Sequence, residues 1–342
     1  MRRRRAGDVH RDRRFRGDVV SWVTHEPCVR RLERLGPLLE ETLASEDEHL
    51  SEVARHLVAQ GGKRLRPALV FLSAEFGPRV DEDVLLRAAA AIELLHVATL
   101  YHDDVMDRAE SRRGAPSTHA RWGQAAAVTA GTYVFARAMR LLGGLDRPVP
   151  AWAGQAVLAL ALGQLQETEN AYNAGHQVAR YLEVSVRKTA SLFELSCRAG
   201  AALSGADEDA CEALGLYGRA LGLAFQAVDD VLDVTADAAL LGKRPGSDLR
   251  EGVYGLPTLM ALAHGAEAEQ ERLRALLALD SPDDGDLAEA RELILGSGAV
   301  AHATAVADHY ADEAVSAAQR LPDRPARRAL VQLCHHLVLT GR

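Results

Sequence analysis

Residues 88–107 read AAAAIELLHVATLYHDDVMD, a long apolar run that ends in three aspartates. Alanine and leucine favour helix, and the run predicts a helix over residues 81–102. Residues four apart lie on one face of a helix, so Asp103 and Asp107 share a patch. A carboxylate patch on an apolar helix repels itself and is costly to desolvate. The stretch therefore indicates a helical protein that holds a cation at the end of this helix.

The same Asp-Asp-x-x-Asp pattern returns at residues 229–233, DDVLD, at the end of a second apolar stretch that predicts a helix over residues 207–234. Mg²⁺ takes oxygen ligands, keeps some of its waters and is usually completed by substrate phosphates. Two such motifs therefore indicate Mg²⁺ ions that hold a diphosphate. The predicted metal-binding residues are Asp103, Asp104, Asp107, Asp229, Asp230 and Asp233.

The composition favours one large helical domain. Of 342 residues, 48% are hydrophobic and 5% are aromatic, which gives ample material for a core and few strand-favouring side chains. No alternating strand pattern and no Pro/Gly/Ser-rich linker interrupts the sequence. We therefore predict an all-α fold with a single domain over residues 19–342, in which Asp207 and Asp284 cap helix N-termini.

Charge is distributed unevenly along the chain. The net charge is −8, yet residues 1–16 contain eight arginines and two aspartates, so the remainder is strongly acidic. An acidic body argues against nucleic acid as a substrate. The Arg-rich residues 1–18 are predicted to form a disordered extension, and contact of this tail with anionic lipid or nucleic acid is the alternative.

No membrane-spanning segment or signal peptide is predicted. The most apolar stretch, residues 88–100, contains Glu93 and His96 and is short of a membrane span. The basic N-terminus lacks the apolar run that a signal peptide requires. We expect a cytoplasmic protein whose contact with membranes is at most peripheral.

Three basic segments are candidates for binding phosphate. Residues 61–67, GGKRLRP, place two glycines and then three cations at the start of a helix, where anions are attracted. Taken alone, this segment is equally typical of a solvated basic turn. Arg112 and Arg113 follow Asp107 closely and are natural diphosphate clamps beside a metal cluster. Lys188 lies in apolar helical sequence and needs either an anionic partner or a path to the surface.

Three further side chains are placed close to the aspartate motifs. His96 lies two helical turns before Asp103 on the same face. A lone histidine in apolar sequence is more often a core residue, but this face also carries the carboxylates. Gln226 lies one turn before Asp229, and Lys243 follows the second motif in a polar loop that could close over phosphate.

With these segments in this order, the chain resembles the trans-polyprenyl diphosphate synthases, a family of class I isoprenoid synthases, and is most similar to its long-chain members. The resemblance extends from about residue 61 to residue 259 and more weakly to both ends. It implies a bundle of antiparallel helices around a deep central cavity, usually in a homodimer. It also implies a Mg²⁺-dependent head-to-tail (1'-4) condensation of isopentenyl diphosphate with an allylic prenyl diphosphate.

The resemblance implies individual roles as well. Three Mg²⁺ ions would bind the allylic diphosphate between the two motifs, through Asp103, Asp107 and Asp229, with Asp230 and Asp233 in support. The residues implied to hold the allylic diphosphate are Lys188, Thr189, Gln226, Lys243 and Arg112. Those implied for isopentenyl diphosphate are Lys63, Arg66, His96 and Arg113. The implied catalytic residues are Lys188, Thr189, Gln226, Asp103 and Asp107.

Product length follows from the helix that carries Asp103, because the growing chain is expected to run beside it. Short-chain members of the family carry a bulky aromatic side chain four or five residues before this aspartate, where the present chain has Thr99 and Ala98. Small side chains there predict an open cavity and a linear all-trans product longer than twenty carbons. Tyr101 and Phe135 are the alternative floors of the cavity, and an unchanged product from Ala98→Phe would contradict the prediction.

Three alternatives compete with this interpretation. A synthase of farnesyl or geranylgeranyl length would share every motif. A class I terpene cyclase needs no second diphosphate site, so Lys63, Arg66 and Arg113 argue against it. A subunit of a two-component synthase typically loses the aspartate motifs, and both are intact here.

Two positions depart from the family pattern. Val253 stands after Glu-Gly where the family often has lysine, which removes one cation near the phosphate. Thr132 follows Gly131 where the family often has aspartate, and we expect a structural adjustment there rather than a loss of activity.

Overall fold

The computed structural model describes residues 23–146, 148–236 and 246–339. The Arg-rich residues 1–18 and Lys243 lie outside these ranges. Almost all of the described elements are helices, and the strands found among the described residues are one two-residue pair. The prediction of an all-α fold is confirmed.

The first half of the chain contains α1 (Glu26–Thr42), α2 (Glu48–Ala59), α3 (Leu65–Ser73), a 3₁₀ turn (Ala74–Phe76), α4 (Glu82–Met106), α5 (Thr118–Trp122) and α6 (Gln124–Leu142). A hairpin of β1 (Ser111–Arg112) and β2 (Ala115–Pro116) lies between α4 and α5. The second half contains α7 (Val149–Asn170), α8 (Val178–Ser185), a π-helix (Val186–Ala190), α9 (Ser191–Leu203), α10 (Glu208–Thr235), α11 (Ser247–Arg250), α12 (Leu256–His264), α13 (Glu267–Leu277), α14 (Asp284–Gly296), α15 (Ala299–Gln319) and α16 (Pro325–Leu339).

The chain divides into two compact units. Unit 1 comprises residues 1–154, 195–215 and 318–333, and unit 2 comprises residues 155–194, 216–317 and 334–342. The first aspartate motif belongs to unit 1 and the second to unit 2. The prediction of a single domain stays a prediction.

Helix α4 is the central element of unit 1. It begins at Asp81, whose carboxylate accepts hydrogen bonds from the main-chain N–H groups of Asp83 and Val84. Its middle is buried on nearly every side by α1, α3 and α6, which explains an apolar sequence without clear amphipathic periodicity. The helix is long and apolar enough to cross a membrane, but most of it is buried inside the protein. It continues past residue 102, so the first motif lies in its last turns.

Helix α9 approaches α3 closely within unit 1, at Gly200. A Cβ atom built on Gly200 would lie 2.1 Å from the carbonyl oxygen of Val70. Such a contact is impossible for any side chain, so the absence of a side chain at this position sets the distance between the two helices.

In unit 2, the helix predicted over residues 177–204 is interrupted by a π-helix at Val186–Ala190, between α8 and α9. Helix α10 packs closely against this segment. A Cβ atom on Gly222 would lie 2.6 Å from the Cα atom of Ala190. Single π-turns inside α-helices often mark functional sites, and this one carries Lys188 and Thr189.

One of the two predicted helix caps is confirmed and the other is wrong. Asp207 caps α10, since its carboxylate accepts from the N–H of Ala210 at 2.8 Å. Helix α14 is capped by Asp283 rather than Asp284. The reason is a reciprocal capping box with Asp286, whose side chain accepts from the main-chain N–H of Asp283.

We expect Gly200→Ala to destabilise the protein by about 1–3 kcal/mol, because the added methyl group forces α9 away from α3. Gly154→Ala is the matched control, since Gly154 also lies inside a helix but a Cβ there meets nothing within 4 Å. The control should be neutral or stabilising by up to about 1 kcal/mol. Urea denaturation followed by circular dichroism measures both, and equal midpoints for Gly200→Ala and wild-type protein would contradict the close contact.

Candidate functional site

The first aspartate motif presents two of its carboxylates outward and one inward. Asp103 is half-buried and Asp107 is exposed, whereas Asp104 is fully buried. The Oδ1 atom of Asp104 pairs with the Nε of Arg112, and among the described residues its Oδ2 atom has no hydrogen-bond partner. Burial raises the pKa of Asp104, and the neighbouring Arg112 opposes that rise. Asp103 and Asp107 are therefore the motif's candidates for binding a metal ion.

The second motif, in unit 2, also combines an outward carboxylate with buried ones. Asp229 is exposed, whereas Asp230 and Asp233 are buried. Asp233 accepts hydrogen bonds from the hydroxyl of Ser247 at 2.9 Å and from the N–H of Asp248 at 3.4 Å. These contacts anchor the start of α11 to the end of α10, and they leave Asp229 as the outward carboxylate.

The donor chemistry of both motifs fits Mg²⁺. Their outward groups are carboxylates, which are hard oxygen ligands. Within the described ranges, no three His, Cys, Asp or Glu side chains form a cage that could hold a metal ion by themselves.

A second group of residues in unit 1, which we name the basic cluster, comprises Arg64, Arg66, His96, Arg112 and Arg113. Its first member follows a glycine turn, in which Gly61 and Gly62 adopt φ angles of 81° and 142°. Arg64 itself adopts a φ of 45° and turns a buried guanidinium toward Glu93, with an N–O distance of 2.6 Å. This turn places Arg66 in the first turn of α3.

The hairpin carries the other arginines of the basic cluster. Its turn consists of Arg113 and Gly114, at φ angles of 53° and 75°. The guanidinium of Arg113 donates to the carbonyl oxygens of Gly61 and Leu57, so the hairpin is tied to the glycine turn. A Cβ atom on Gly62 would lie 2.8 Å from this guanidinium and would displace it, and the φ of 142° also disfavours any other residue there.

Two histidines hold the hairpin from outside the cluster. An imidazole nitrogen of His56 lies 2.9 Å from the carbonyl oxygen of Pro116, and one of His119 lies 2.8 Å from that of Ala109. Both contacts fix the main chain that flanks Arg112 and Arg113, because a carbonyl oxygen can only accept the imidazole N–H.

The electrostatics of the basic cluster are unbalanced in favour of positive charge. Burial lowers the pKa of Arg66 to about 10, with the nearby Arg113 adding to the effect and Glu93 opposing it. Burial, followed by Arg66 and Arg113, holds the pKa of His96 well below its ordinary value. A cluster in which cations disfavour one another's charge attracts a multiply charged anion.

Unit 2 contains a polar pocket, lined among others by Glu167, Tyr181, Lys188, Thr189, Gln226 and Asp230. The π-helix places Lys188 and Thr189 on it. The ammonium of Lys188 pairs with the carboxylate of Glu167. The hydroxyl of Thr189 donates to the amide oxygen of Gln226 at 2.7 Å.

Asp230 lies at the inner end of this pocket. Its carboxylate accepts hydrogen bonds from the hydroxyl of Tyr181, the main-chain N–H of Leu256 and the amide of Gln226, at 2.6, 2.7 and 2.9 Å. Burial raises the pKa of Asp230 to about 7, and the Tyr181 and Leu256 hydrogen bonds limit that rise. The polar pocket thus joins the cation of Lys188 and several hydrogen-bonding groups to the carboxylates of Glu167, Asp230 and Asp248. An anion bound there needs metal ions to offset the acidic charge.

The residues predicted to set product length all lie in unit 1, in different environments. Ala98 is buried in the core at 2% exposure, whereas Thr99 and Phe135 are half-buried. Tyr101 is fully buried, and its hydroxyl donates to the carbonyl oxygens of Val53 and Ala54 on α2. Thr99 is therefore the more open of the two predicted small positions.

The two departures from the family pattern are accommodated locally. The hydroxyl of Thr132 donates to the carbonyl oxygen of Val128 within α6. Val253 follows Gly252, whose φ of 72° and close contact with the ring of Tyr172 require glycine.

Lys63 is exposed at the glycine turn.

Sequence reasoning missed several residues of these sites. Glu93 was not singled out, although it lies three residues before His96 on the same helix face. Tyr181 lies seven residues before Lys188, a spacing of two helical turns that could have suggested a shared face. Glu167 carried no recognisable pattern.

Comparison with known proteins places the chain among characterised enzymes. The family model "Polyprenyl synthetase" matches residues 47–294. The nonaprenyl diphosphate synthase of Mycobacterium tuberculosis is 40% identical over 322 residues, which cover 94% of this chain and 95% of that protein. Component 2 of the heptaprenyl diphosphate synthase of Geobacillus stearothermophilus is 35% identical over 87% of this chain and 92% of its own length.

A solved structure agrees with these matches. It is that of a polyprenyl synthase from Caulobacter crescentus, complexed with calcium and isoprenyl diphosphate. The two folds superpose with a TM-score of 0.87 at 34% sequence identity, over 93% of this chain and 98% of that chain.

We expect the His96→Gln variant to lose less stability than wild-type protein when the pH is lowered. The pKa of His96 in the folded protein lies below 6.5, which is its value in the unfolded chain. At a pH between the two pKa values, the unfolded chain binds a proton that the folded protein does not. Wild-type stability therefore falls as the pH falls through this window. Melting temperatures measured from about pH 7 to about pH 5 should fall less steeply for His96→Gln.

His49→Gln is the control for this experiment, because it replaces an exposed histidine of α2 outside the basic cluster. Its melting temperature should follow the wild-type slope. A His96→Gln slope equal to that of wild-type protein would show that His96 is not held neutral by the cluster.

Proposed function

The chain belongs to the polyprenyl synthetase family, and we propose that it condenses isopentenyl diphosphate with an allylic prenyl diphosphate to give a linear polyprenyl diphosphate longer than twenty carbons. The observation that carries the proposal is that each unit combines an Asp-Asp-x-x-Asp motif that has an outward carboxylate with cationic side chains, which are the basic cluster in unit 1 and Lys188 of the polar pocket in unit 2. An enzyme that joins two diphosphate substrates needs both.

The basic cluster is the proposed site for isopentenyl diphosphate. Arg66 and Arg113 supply charge, and Lys63 is exposed beside them. The neutral imidazole of His96 has one N–H that can donate to a phosphate oxygen. Binding of a dianionic or trianionic group relieves the repulsion among these cations, which favours occupancy.

The polar pocket is the proposed site for the allylic diphosphate. Lys188 can exchange its partner Glu167 for a phosphate oxygen, and Thr189 and Gln226 supply hydrogen bonds. Loss of diphosphate leaves an allylic carbocation, and the double bond of isopentenyl diphosphate attacks it to form the new C–C bond. The resulting cation then loses a proton, for which the released diphosphate is the proposed base. The roles predicted for Arg112 and Lys243 on this diphosphate stay predictions.

Magnesium is the proposed cofactor, with three ions in the substrate complex. Asp103, Asp107 and Asp229 would hold it, because theirs are the carboxylates that turn outward. When bound, the metal neutralises charge on the diphosphate and makes it a better leaving group. The calcium in the related Caulobacter crescentus complex supports a requirement for divalent ions.

Product length beyond twenty carbons is supported by two observations. A nonaprenyl synthase is similar over nearly the full chain. In addition, the half-buried position four residues before Asp103 is threonine rather than an aromatic residue. The hydroxyl of Tyr101 is already hydrogen-bonded to main-chain carbonyl oxygens of α2. Phe135 on α6 is therefore the better candidate for the residue that closes the end of the product cavity.

A homodimer in the cytoplasm is the proposed state of the enzyme. Helix α7 exposes Leu158, Leu162 and Leu165, which are spaced four and three residues apart. Their accessible fractions are 73%, 44% and 55%, respectively. These leucines form one apolar stripe along the helix, and a second copy of the chain is a suitable cover for it. The similarity to a heptaprenyl synthase component makes a different partner subunit the alternative.

A class I terpene cyclase is the other alternative enzyme, and the basic cluster argues against it. A cyclase ionises one diphosphate and has no use for a second cationic site. Arg64 and Arg112 already pair with carboxylates, whereas Arg66 and Arg113 supply the charge of the proposed second diphosphate site, which favours the two-substrate reaction.

Purified full-length protein with Mg²⁺ and isopentenyl diphosphate, given dimethylallyl, geranyl, farnesyl or geranylgeranyl diphosphate in turn, tests the proposal. Mass spectrometry of the dephosphorylated products should show a linear ladder that ends beyond twenty carbons. An end at fifteen or twenty carbons would support the shorter-chain alternative. Cyclic hydrocarbon from an allylic diphosphate alone, or no elongation with any primer, would overturn the synthase assignment.

We expect Thr99→Phe to shorten the product ladder by several isoprene units, because an aromatic ring at this half-buried position blocks the path of the growing chain. Ala98→Phe should instead destabilise the protein by about 1–3 kcal/mol, since Ala98 is packed in the core. Thr99→Val, which keeps the size of the side chain, is the control and should leave product length unchanged. A full-length product from Thr99→Phe would show that the chain does not pass this residue.

A further inference from the structure

A continuous series of hydrogen bonds crosses the inner wall of the polar pocket and begins at a tyrosine outside the sequence motifs. The hydroxyl of Tyr181 donates to Oδ2 of Asp230 at 2.6 Å. Oδ1 of Asp230 accepts from the amide nitrogen of Gln226 at 2.9 Å. The amide oxygen of Gln226 accepts from the hydroxyl of Thr189 at 2.7 Å. The series therefore ends on a group proposed to bind the diphosphate.

Asp230 is bound on both of its oxygens by groups of the protein itself. In addition to the tyrosine, the main-chain N–H of Leu256 donates to Oδ2 at 2.7 Å. The side chain is 4% exposed, whereas Asp229, one residue earlier, is exposed. This is the geometry of an internal anchor, since a metal ligand would need an oxygen directed toward the ion.

The anchor determines which end of the Gln226 amide faces Thr189. A carboxylate oxygen accepts hydrogen bonds, so Gln226 turns its NH₂ group toward Asp230 and its oxygen toward Thr189. If Asp230 moved, the amide would be free to rotate and the Thr189 hydroxyl would lose its fixed acceptor. Tyr181 limits that movement, because it is the side-chain donor opposite Gln226.

We propose that Tyr181 is a positioning residue of the polar pocket, which acts through Asp230 to fix the Gln226 amide and the Thr189 hydroxyl for binding of a diphosphate. The inference rests on the proposed function, because the diphosphate is its ligand. It also assigns Asp230 to the support of the pocket and leaves metal binding in this motif to Asp229.

The two possible roles of Asp230 give opposite results when the Tyr181 hydroxyl is removed. If Asp230 were a metal ligand, loss of a competing donor would free Oδ2 and strengthen the binding of Mg²⁺ with diphosphate. If Asp230 is an anchor, the same change loosens Gln226 and weakens that binding.

Isothermal titration calorimetry of the full-length protein with inorganic diphosphate in excess Mg²⁺ measures this effect. We expect Tyr181→Phe to raise the Kd about tenfold, which corresponds to one lost hydrogen bond of about 1.4 kcal/mol. A Kd that is unchanged or lower than in wild-type protein would overturn the inference alone. Wild-type protein that bound no diphosphate would overturn the proposed function together with it.

Tyr254→Phe is the matched control. Tyr254 is a buried tyrosine that also borders the pocket, but its hydroxyl donates to the carbonyl oxygen of Leu277 at 3.1 Å and not to Asp230. Its loss should lower the melting temperature and leave the Kd close to the wild-type value. Equal rises in Kd for both variants would mean general loosening of the pocket, and the assignment of Tyr181 would fail.

A double variant tests whether the effect passes through the glutamine. Gln226→Leu alone removes the amide, so adding Tyr181→Phe should change the Kd by less than about twofold. A further tenfold rise in the double variant would show that Tyr181 acts independently and would contradict the proposed path. If Tyr181→Phe does not fold, Asp230→Asn takes its place and the titration is repeated without Mg²⁺. Loosening of Gln226 should raise the Kd in both conditions, whereas a rise only in the presence of Mg²⁺ would mean that Asp230 is a metal ligand and would overturn the inference.

Discussion

The structure depends on how it satisfies acidic side chains buried in apolar helices. A buried carboxylate without donors is strongly destabilising, so each one must recruit a partner. Glu93 recruits Arg64 at the start of α3, and Asp104 recruits Arg112 from the hairpin. Asp230 recruits the first N–H of α12. Arg64 and Arg112 belong to segments that carry proposed phosphate-binding residues, so the requirement for pairing also shapes the proposed site in unit 1.

The basic cluster shows the cost of this arrangement. Burial lowers the pKa values of Arg66 and His96, and the positive charge of neighbouring arginines adds to the effect. Repulsion of this kind destabilises the protein when no anion is bound and is relieved when an anion binds, so part of the folding free energy appears as affinity for the anion. The polar pocket is balanced differently, because Lys188 already has Glu167 as a partner. We infer that its affinity for diphosphate includes the exchange of one partner for another.

Unusual backbone conformations occur at several of the side chains proposed to bind substrate. Arg64 and Arg113 adopt positive φ angles, and Lys188 and Thr189 lie in a π-helix. Such conformations are unfavourable in isolation and persist when surrounding contacts hold them. Here the contacts are the Arg113 bonds to the glycine turn and the close approach of α10 at Gly222.

The sequence by itself determined the helical class, the two aspartate motifs and the family, because these depend on composition and on local spacing along one helix. It predicted that Asp103 and Asp107 share a face, which follows from helical periodicity alone. It did not determine that Asp104 and Asp230 turn inward, that a π-helix carries Lys188, or that Tyr181 belongs to the site. Tyr181 and its partner Asp230 are separated by 49 residues. Asp104 pairs with Arg112 only eight residues away, but across a hairpin whose position helical periodicity does not give. Only the tertiary structure decides which donor meets a buried carboxylate, since periodicity gives the direction of a side chain but not what it will contact.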